Sequence, residues 1–249
     1  MKCRVVFAVQ LVCVAAGSFC ASAEGHGPAV VQVHANLDID SLDPAWANDT
    51  LSRTVISNLY ESLVALKGDS LSELEPRLAE KVPTQANGLI SADGRTYRFP
   101  IRKGVHFHDG SELSCEDARY SILRLALLDR PTGGPAFHLL KPLAGVLRTR
   151  DEHGAVLVDL AALVKRVSCE SSTLKITLPT AYAPFLQVLA QYGLAVSKAS
   201  AVSHGHWDGQ ASSWPTYRDQ KREDLPFHAR ANGTGPYELV AWDKATRTI

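Results

Sequence analysis

Two histidine-rich strings carry the most overt chemistry in the chain. His106-Phe107-His108-Asp109 sets two imidazoles and a carboxylate within four residues, and His204-Gly205-His206-Trp207-Asp208 repeats those ingredients. Imidazole nitrogens and carboxylate oxygens are zinc ligands, so the two strings could together build a secreted metal-dependent hydrolase. Strand alternation would put His106 and His108 on one face. Both pairs lie beside turns, where solvated histidines are common, and spacing marks no third ligand. Neither has the helical His-Glu-x-x-His form of zinc proteases. The reading is therefore no metal and no cofactor, with the hydrolase as the alternative.

Other reactive patterns are lacking. The chain has no Gly-x-Ser-x-Gly, no phosphate-cradling loop ending in Lys-Ser/Thr and no Gly-x-Gly-x-x-Gly behind a strand. Gly233-Thr234-Gly235 is followed by Pro236 and Tyr237, which predicts a tight turn into a strand rather than a phosphate site. Glu61 could present a carboxylate at a helix end, and Asp117 is best explained as a helix cap. Trp207, Trp214 and Tyr217, in an irregular stretch, could line a cleft or pin a loop to the core. No enzymatic activity is expected.

Charge excludes other classes. Of 249 residues, 26 are Lys or Arg and 26 are Asp or Glu, so no basic stripe marks nucleic acid. An apolar share of 45% suits one or two globular domains with cores of their own.

The first segment is an address. Lys2 and Arg4 precede the apolar run Val5 to Ala16, and Ala21-Ser22-Ala23 offers a cleavage site. This is the form of a secretory signal peptide over residues 1–23, and the run is shorter than the roughly 18–20 residues that span a bilayer. It predicts a periplasmic chain starting at Glu24. Of five cysteines, Cys115 and Cys169 would remain. In an oxidising compartment they could form a bridge or stay as two buried thiols.

Several elements must position these groups. Ala29 to Val33 reads as a strand, followed by a loop through Asp43-Pro44. Behind Asp49, the spacing of Val55, Ile56, Leu59, Tyr60 and Leu63 predicts a one-sided helix. Tyr97, Phe99 and Ile101 alternate, and Val105 and Phe107 resume after Lys103-Gly104, predicting two strands about a tight turn. Pro100 lacks an N–H, so its strand should lie at a sheet edge. Ser114-Cys115-Glu116-Asp117 is a capping box opening a helix through Ala118, Ile122, Leu125 and Ala126. A short helix fits between Pro135 and Asp151. Val167 to Leu178 predicts a hairpin, Pro184 to Tyr192 a helix, Gly193 to Val196 a buried strand, and Glu238 to Trp242 another strand. The stretch His204 to Ala231 reads as long loops.

In order along the chain, Leu42-Asp43-Pro44, Asn58-Leu59-Tyr60-Glu61-Ser62-Leu63, Pro76-Arg77-Leu78-Ala79-Glu80, Ile101-Arg102-Lys103-Gly104-Val105-His106-Phe107-His108-Asp109-Gly110, Glu116-Asp117-Ala118 and Gly233-Thr234-Gly235-Pro236-Tyr237 form a series. This series resembles the family 5 extracellular solute-binding proteins of ABC transporters, the dipeptide and oligopeptide binders. Pro100 departs from the family pattern.

The resemblance implies an α/β, periplasmic binding protein-like (class II) fold. A first lobe with an inserted α+β subdomain would be present, with the second lobe expected beyond Ile249. The divisions would be residues 24–47 for the first-lobe N-terminal strand segment, 48–161 for the inserted subdomain and 162–249 for the first-lobe continuation. It implies a monomer that captures a small solute, chiefly peptide, and delivers it to permease subunits at the membrane. The ligand's backbone would pair with His34, Ala35, Asn36 and Leu37 through main-chain groups. Peptide, nickel complex, haem, opine or sugar all stay open as ligands.

Overall fold

The structure, a computed structural model, describes residues 30–32, 38–130, 134–218 and 220–249. The signal peptide lies outside these residues, as do Ala29 and Val33; residues 30–32, the described part of the strand expected over Ala29 to Val33, are exposed and form no strand.

Helix α1 spans Thr50–Leu59. The Asp49 carboxylate accepts the Ser52 N–H at 2.8 Å, satisfying one of the donors a helix start leaves unpaired. Ile56 and Leu59 face the core, and the chain then leaves the helix with Tyr60 and Leu63 also buried. Strand β1 (Val64–Leu66) pairs antiparallel with β2 (Leu74–Pro76), a run too short to assign from pattern.

Strand β3 (Thr96–Pro100) buries Tyr97 and Phe99 on one face, as their alternation predicts. Its partner differs from the expected one. It pairs antiparallel with β5 (Thr173–Thr177), which also pairs with β4 (Val167–Glu170), giving the sheet order β3-β5-β4. The run Val105 to Phe107 instead turns onto Ser111 to Leu113: the Phe107 N–H donates to the Ser111 carbonyl and the Leu113 N–H to the Val105 carbonyl, both at 2.8 Å. Pro100 does sit in an edge strand. On its outer side Arg98 and Arg102 donate to the carbonyls of Leu89 and Leu78, and the intervening proline has no N–H to leave unpaired. Strands on either side of residue 161 thus share one sheet.

Helix α2 (Cys115–Leu127) opens on the predicted capping box: the Ser114 side chain accepts from the Asp117 N–H, and the Asp117 carboxylate accepts from the Ser114 N–H. It packs against β4, β5, α3 (Phe137–Ala144) and α6 (Lys198–Ser203), and is buried on nearly every face. Leu123, Ala126 and Leu127 are fully enclosed. Each large apolar side chain so buried contributes about 1.5–3 kcal/mol. A disulfide joins Cys115, the first residue of α2, to Cys169 in β4, with Cα atoms 6.0 Å apart.

Helix α4 (Leu160–Arg166), capped by Asp159, leads into the hairpin, and α5 (Phe185–Tyr192) follows it as expected. Gly193 to Val196 forms no ladder strand. Only Leu194 makes a bridge there, to Ser62, and the Val196 N–H is taken by the Ser121 hydroxyl. The irregular stretch holds the short helix α7 (Trp214–Tyr217) and a 3₁₀ turn at Arg222–Asp224. Trp207 and Trp214 are enclosed, their indole N–H groups bonded to the carbonyls of Gln210 and Leu127. They pin the loop rather than line a cleft. Glu238 to Trp242 is not a strand: no described strand lies beside it, and Val240 is 80% exposed. Among the described residues no helix is long and apolar enough to cross a membrane.

Candidate functional site

Three motif segments meet at the end of α1. The His108 N–H donates to the Gly233 carbonyl at 2.9 Å. Its ring does the rest: Nδ1 accepts the Gly233 N–H at 3.3 Å, and Nε2, 3.0 Å from the Gly235 carbonyl, then carries the proton and donates. Beside it, the Asp109 N–H donates to Asn232 Oδ1, and Asn232 Nδ2 donates to Asp109 Oδ2 at 2.7 Å. Burial would raise the Asp109 carboxyl, but bonds from Ser111 and Asn232 and the adjacent His108 hold it below its ordinary value. Gly110 takes the positive φ that closes the turn, and Phe107 is buried beneath it.

The glycines of Gly233-Thr234-Gly235 are there because α1 leaves no room. A Cβ on Gly233 would lie 2.0 Å from the Leu59 carbonyl oxygen, and one on Gly235 2.4 Å from that of Asn58. The Gly235 N–H donates to Leu59 and the Tyr237 N–H to Asn58, while Pro236 between them needs no acceptor. Tyr237 is left half-exposed.

Below this junction lies a buried polar group. Asp43, in the turn with Pro44, pairs with Arg124 from α2, and both are enclosed. Burial opposes the Asp43 charge, but Arg124 at bonding distance wins and lowers its pKa. Tyr60 is pushed up by burial and then by Asp43, so it stays a phenol. His206, buried with neither ring nitrogen bonded among the described residues, is driven down to about 3 by burial and by Arg124. It is therefore neutral. The Glu61 carbonyl accepts from Ala195, and Asp117, beyond its cap, accepts the Lys198 N–H through Oδ1 at 2.8 Å.

The hydrolase alternative has no centre here. His106 and His204 are exposed and bond backbone carbonyls through Nδ1, His108 is spent on the Gly233 turn, and His206 is sealed in the core. Among the described residues no three His, Cys, Asp or Glu side chains converge on one point.

His34, Ala35, Asn36 and Leu37 lie outside the described residues. Immediately after them, Asp38, Ile39 and Asp40 line a cavity of about 260 Å³ with Arg222, Trp242, Lys244 and Arg247. Arg124, Asn232 and these cavity residues were not singled out from the sequence. Arg124 was detectable in principle, as a cation set among the apolar positions of α2.

The model of the bacterial extracellular solute-binding proteins, family 5 middle, matches residues 73–249. Glutathione-binding proteins GsiB from Shigella flexneri and from Escherichia coli O1:K1 are 29% and 30% identical over 215 and 216 residues, respectively. Each alignment covers 86% of this chain and 32% of the relative, so the chain spans about a third of the length of the curated relatives it matches. Two solved structures share the fold. The pheromone receptor PrgZ superposes with TM-score 0.57 at 20% identity over 84% of this chain and 36% of its own. The Helicobacter pylori DppA in complex with peptide STSA gives 0.54 at 23% over 83% and 36%. The fold is that of the periplasmic binding proteins, and the chain belongs to the family 5 bacterial extracellular solute-binding proteins.

Proposed function

We propose that this chain is the capture component of an ABC transporter, exported through its first 23 residues, which takes up small peptides in the periplasm and hands them to a membrane permease. The observation that carries the reading is the family match over residues 73–249, together with relatives named for glutathione, a tripeptide. Binding is the whole of its action, with no bond made or broken in the solute. The peptide backbone would add as a strand to His34, Ala35, Asn36 and Leu37, and the junction of His108, Asn232 and Gly233 holds rigid the lobe from which that segment departs. Rigid support of this kind limits the ordering cost of binding.

The test is calorimetric titration of the chain, purified from the periplasm, with reduced glutathione and with Ala-Ala-Ala amide. Saturable binding of either, together with a mature N-terminus at Glu24 by mass spectrometry, supports the reading. Absence of binding for both ligands overturns it for this chain.

A further inference from the structure

The cavity beyond Leu37 contains a cation that no carboxylate pairs with among the described residues. Arg222 spends its fork on two carboxylates: Nη1 donates to Asp40 Oδ1 at 2.7 Å, and Nε and Nη2 donate to Glu223 Oε1. Arg247 pairs with Asp38 at 2.9 Å. Asp40 is further occupied by the Trp46 indole N–H. Lys244 differs. Its ammonium lies 3.0 Å from His228 Nε2 and 4.5 Å over the Trp242 ring, and among the described residues it makes no ion pair. The adjacent Asp243 carboxylate is turned back onto the N–H groups of Ala245 and Thr246 in its own turn.

The partner of Lys244 cannot neutralise it. Burial, then Lys244 and Arg222, hold His228 below its ordinary value, so the imidazole is neutral and accepts one ammonium proton through Nε2. His228 is itself fixed, with Nδ1 3.3 Å from the Ser41 hydroxyl and its carbonyl bonded by the Leu42 N–H. The ammonium is thus aimed by an acceptor and a ring face, with N–H donors to spare. A cation held against an aromatic wall in a concave site gains more from an anion than one free in solvent.

We infer that this cavity is a carboxylate subsite, with Lys244 as its charge donor and Trp242 and Ile39 as its apolar walls, and that the solute is acidic. At about 260 Å³ it falls below the range of cavities that engulf whole ligands, and it suits the end of a short carboxylate-bearing chain. The inference rests on the reading of the chain as a solute binder, and it adds the chemical class of the solute.

Glutarate and its neutral diamide, glutaramide, are the probes, titrated calorimetrically into the chain and into Lys244→Met and Lys244→Arg. Lys244 is exposed, so neither substitution disturbs the core. Glutarate should bind the unmodified chain and glutaramide should not. Lys244→Met should weaken glutarate at least about tenfold, the scale of one charge-assisted hydrogen bond, while Lys244→Arg stays within about threefold. Equal affinity for glutarate and glutaramide, no glutarate binding, or an unchanged Lys244→Met overturns the subsite. Ala-Ala-Ala amide separates the two readings. If it binds while glutarate does not, peptide capture stands and the carboxylate subsite falls.

Discussion

Asp43 and Arg124, 81 residues apart, form a two-pronged ion pair inside the core, with Nη1 donating to Oδ1 at 2.7 Å and Nη2 to Oδ2 at 2.5 Å. The pair ties the turn before α1 to the last turn of α2, and the Phe227 ring lies 5.5 Å from the guanidinium carbon. Removing one partner strands the other. Asp43→Asn should therefore cost about 3–5 kcal/mol in urea denaturation. The double variant Asp43→Leu with Arg124→Met should recover much of that loss, and a single variant within about 1 kcal/mol of the parent would refute the account.

The same cluster makes stability depend on pH. His206 binds a proton at about 6.5 when unfolded but only near 3 when folded. Between those values the unfolded chain holds more protons, so stability falls as pH is lowered, by up to about 1.4 kcal/mol per unit from this group. Asp43, lowered below 3.8, adds stability that is present above 3.8 and lost as pH falls through its folded value. His206→Phe should flatten the decline between pH 6 and 4. His138 and His228, also held down by burial, should leave a residual slope. An unchanged slope in His206→Phe would show that the buried imidazole is not its source.

Gly233→Ala should be far more costly than Gly110→Ala. The first drives a methyl onto the Leu59 carbonyl, and nothing yields because both sides are backbone. Its expected cost is about 3 kcal/mol, the upper end of overpacking losses. Gly110 has open space but a φ of +86°, so alanine there should cost only about 1–2 kcal/mol. Thermal unfolding of the two variants gives the order directly.

Breaking the Cys115–Cys169 bridge, which spans 54 residues, should cost about 4 kcal/mol by loop-closure entropy. Denaturation of Cys115→Ala with Cys169→Ala against the oxidised parent measures it. Free-thiol labelling of the unreduced, unfolded parent should find neither cysteine reactive.

Asp117→Ala removes three bonds at once, those from the Ser114 N–H and hydroxyl in the α2 cap and that from the Lys198 N–H at the start of α6. The loss should exceed the roughly 1 kcal/mol of a simple cap. Hydrogen exchange should show both α2 and α6 fraying at their first turns. Protection lost in α2 alone would mean that Lys198 finds another acceptor.

The sequence alone determined what a few neighbouring residues decide: the Asp49 and Ser114 caps, the helices they open, the hairpin around Ser171, the helix after Pro184, and an edge position for the strand holding Pro100. Each rests on a side chain bonding its own backbone, or on a backbone group that proline lacks, within a few residues. The ordered series of motifs also carried the family. Tertiary structure alone decided which long-range partners meet. The strand Tyr97 to Ile101 could in principle have closed on Val105, only a few residues away, but β5 buries Phe99 against Leu174 and so prevails. Spacing could not pair Cys115 with Cys169, seat Arg124 on Asp43, bury Trp207 and Trp214, or set Lys244 against His228 and the Trp242 ring. Those outcomes follow from packing across scores of intervening residues, where contact depends on the shape of the whole core rather than on local pattern.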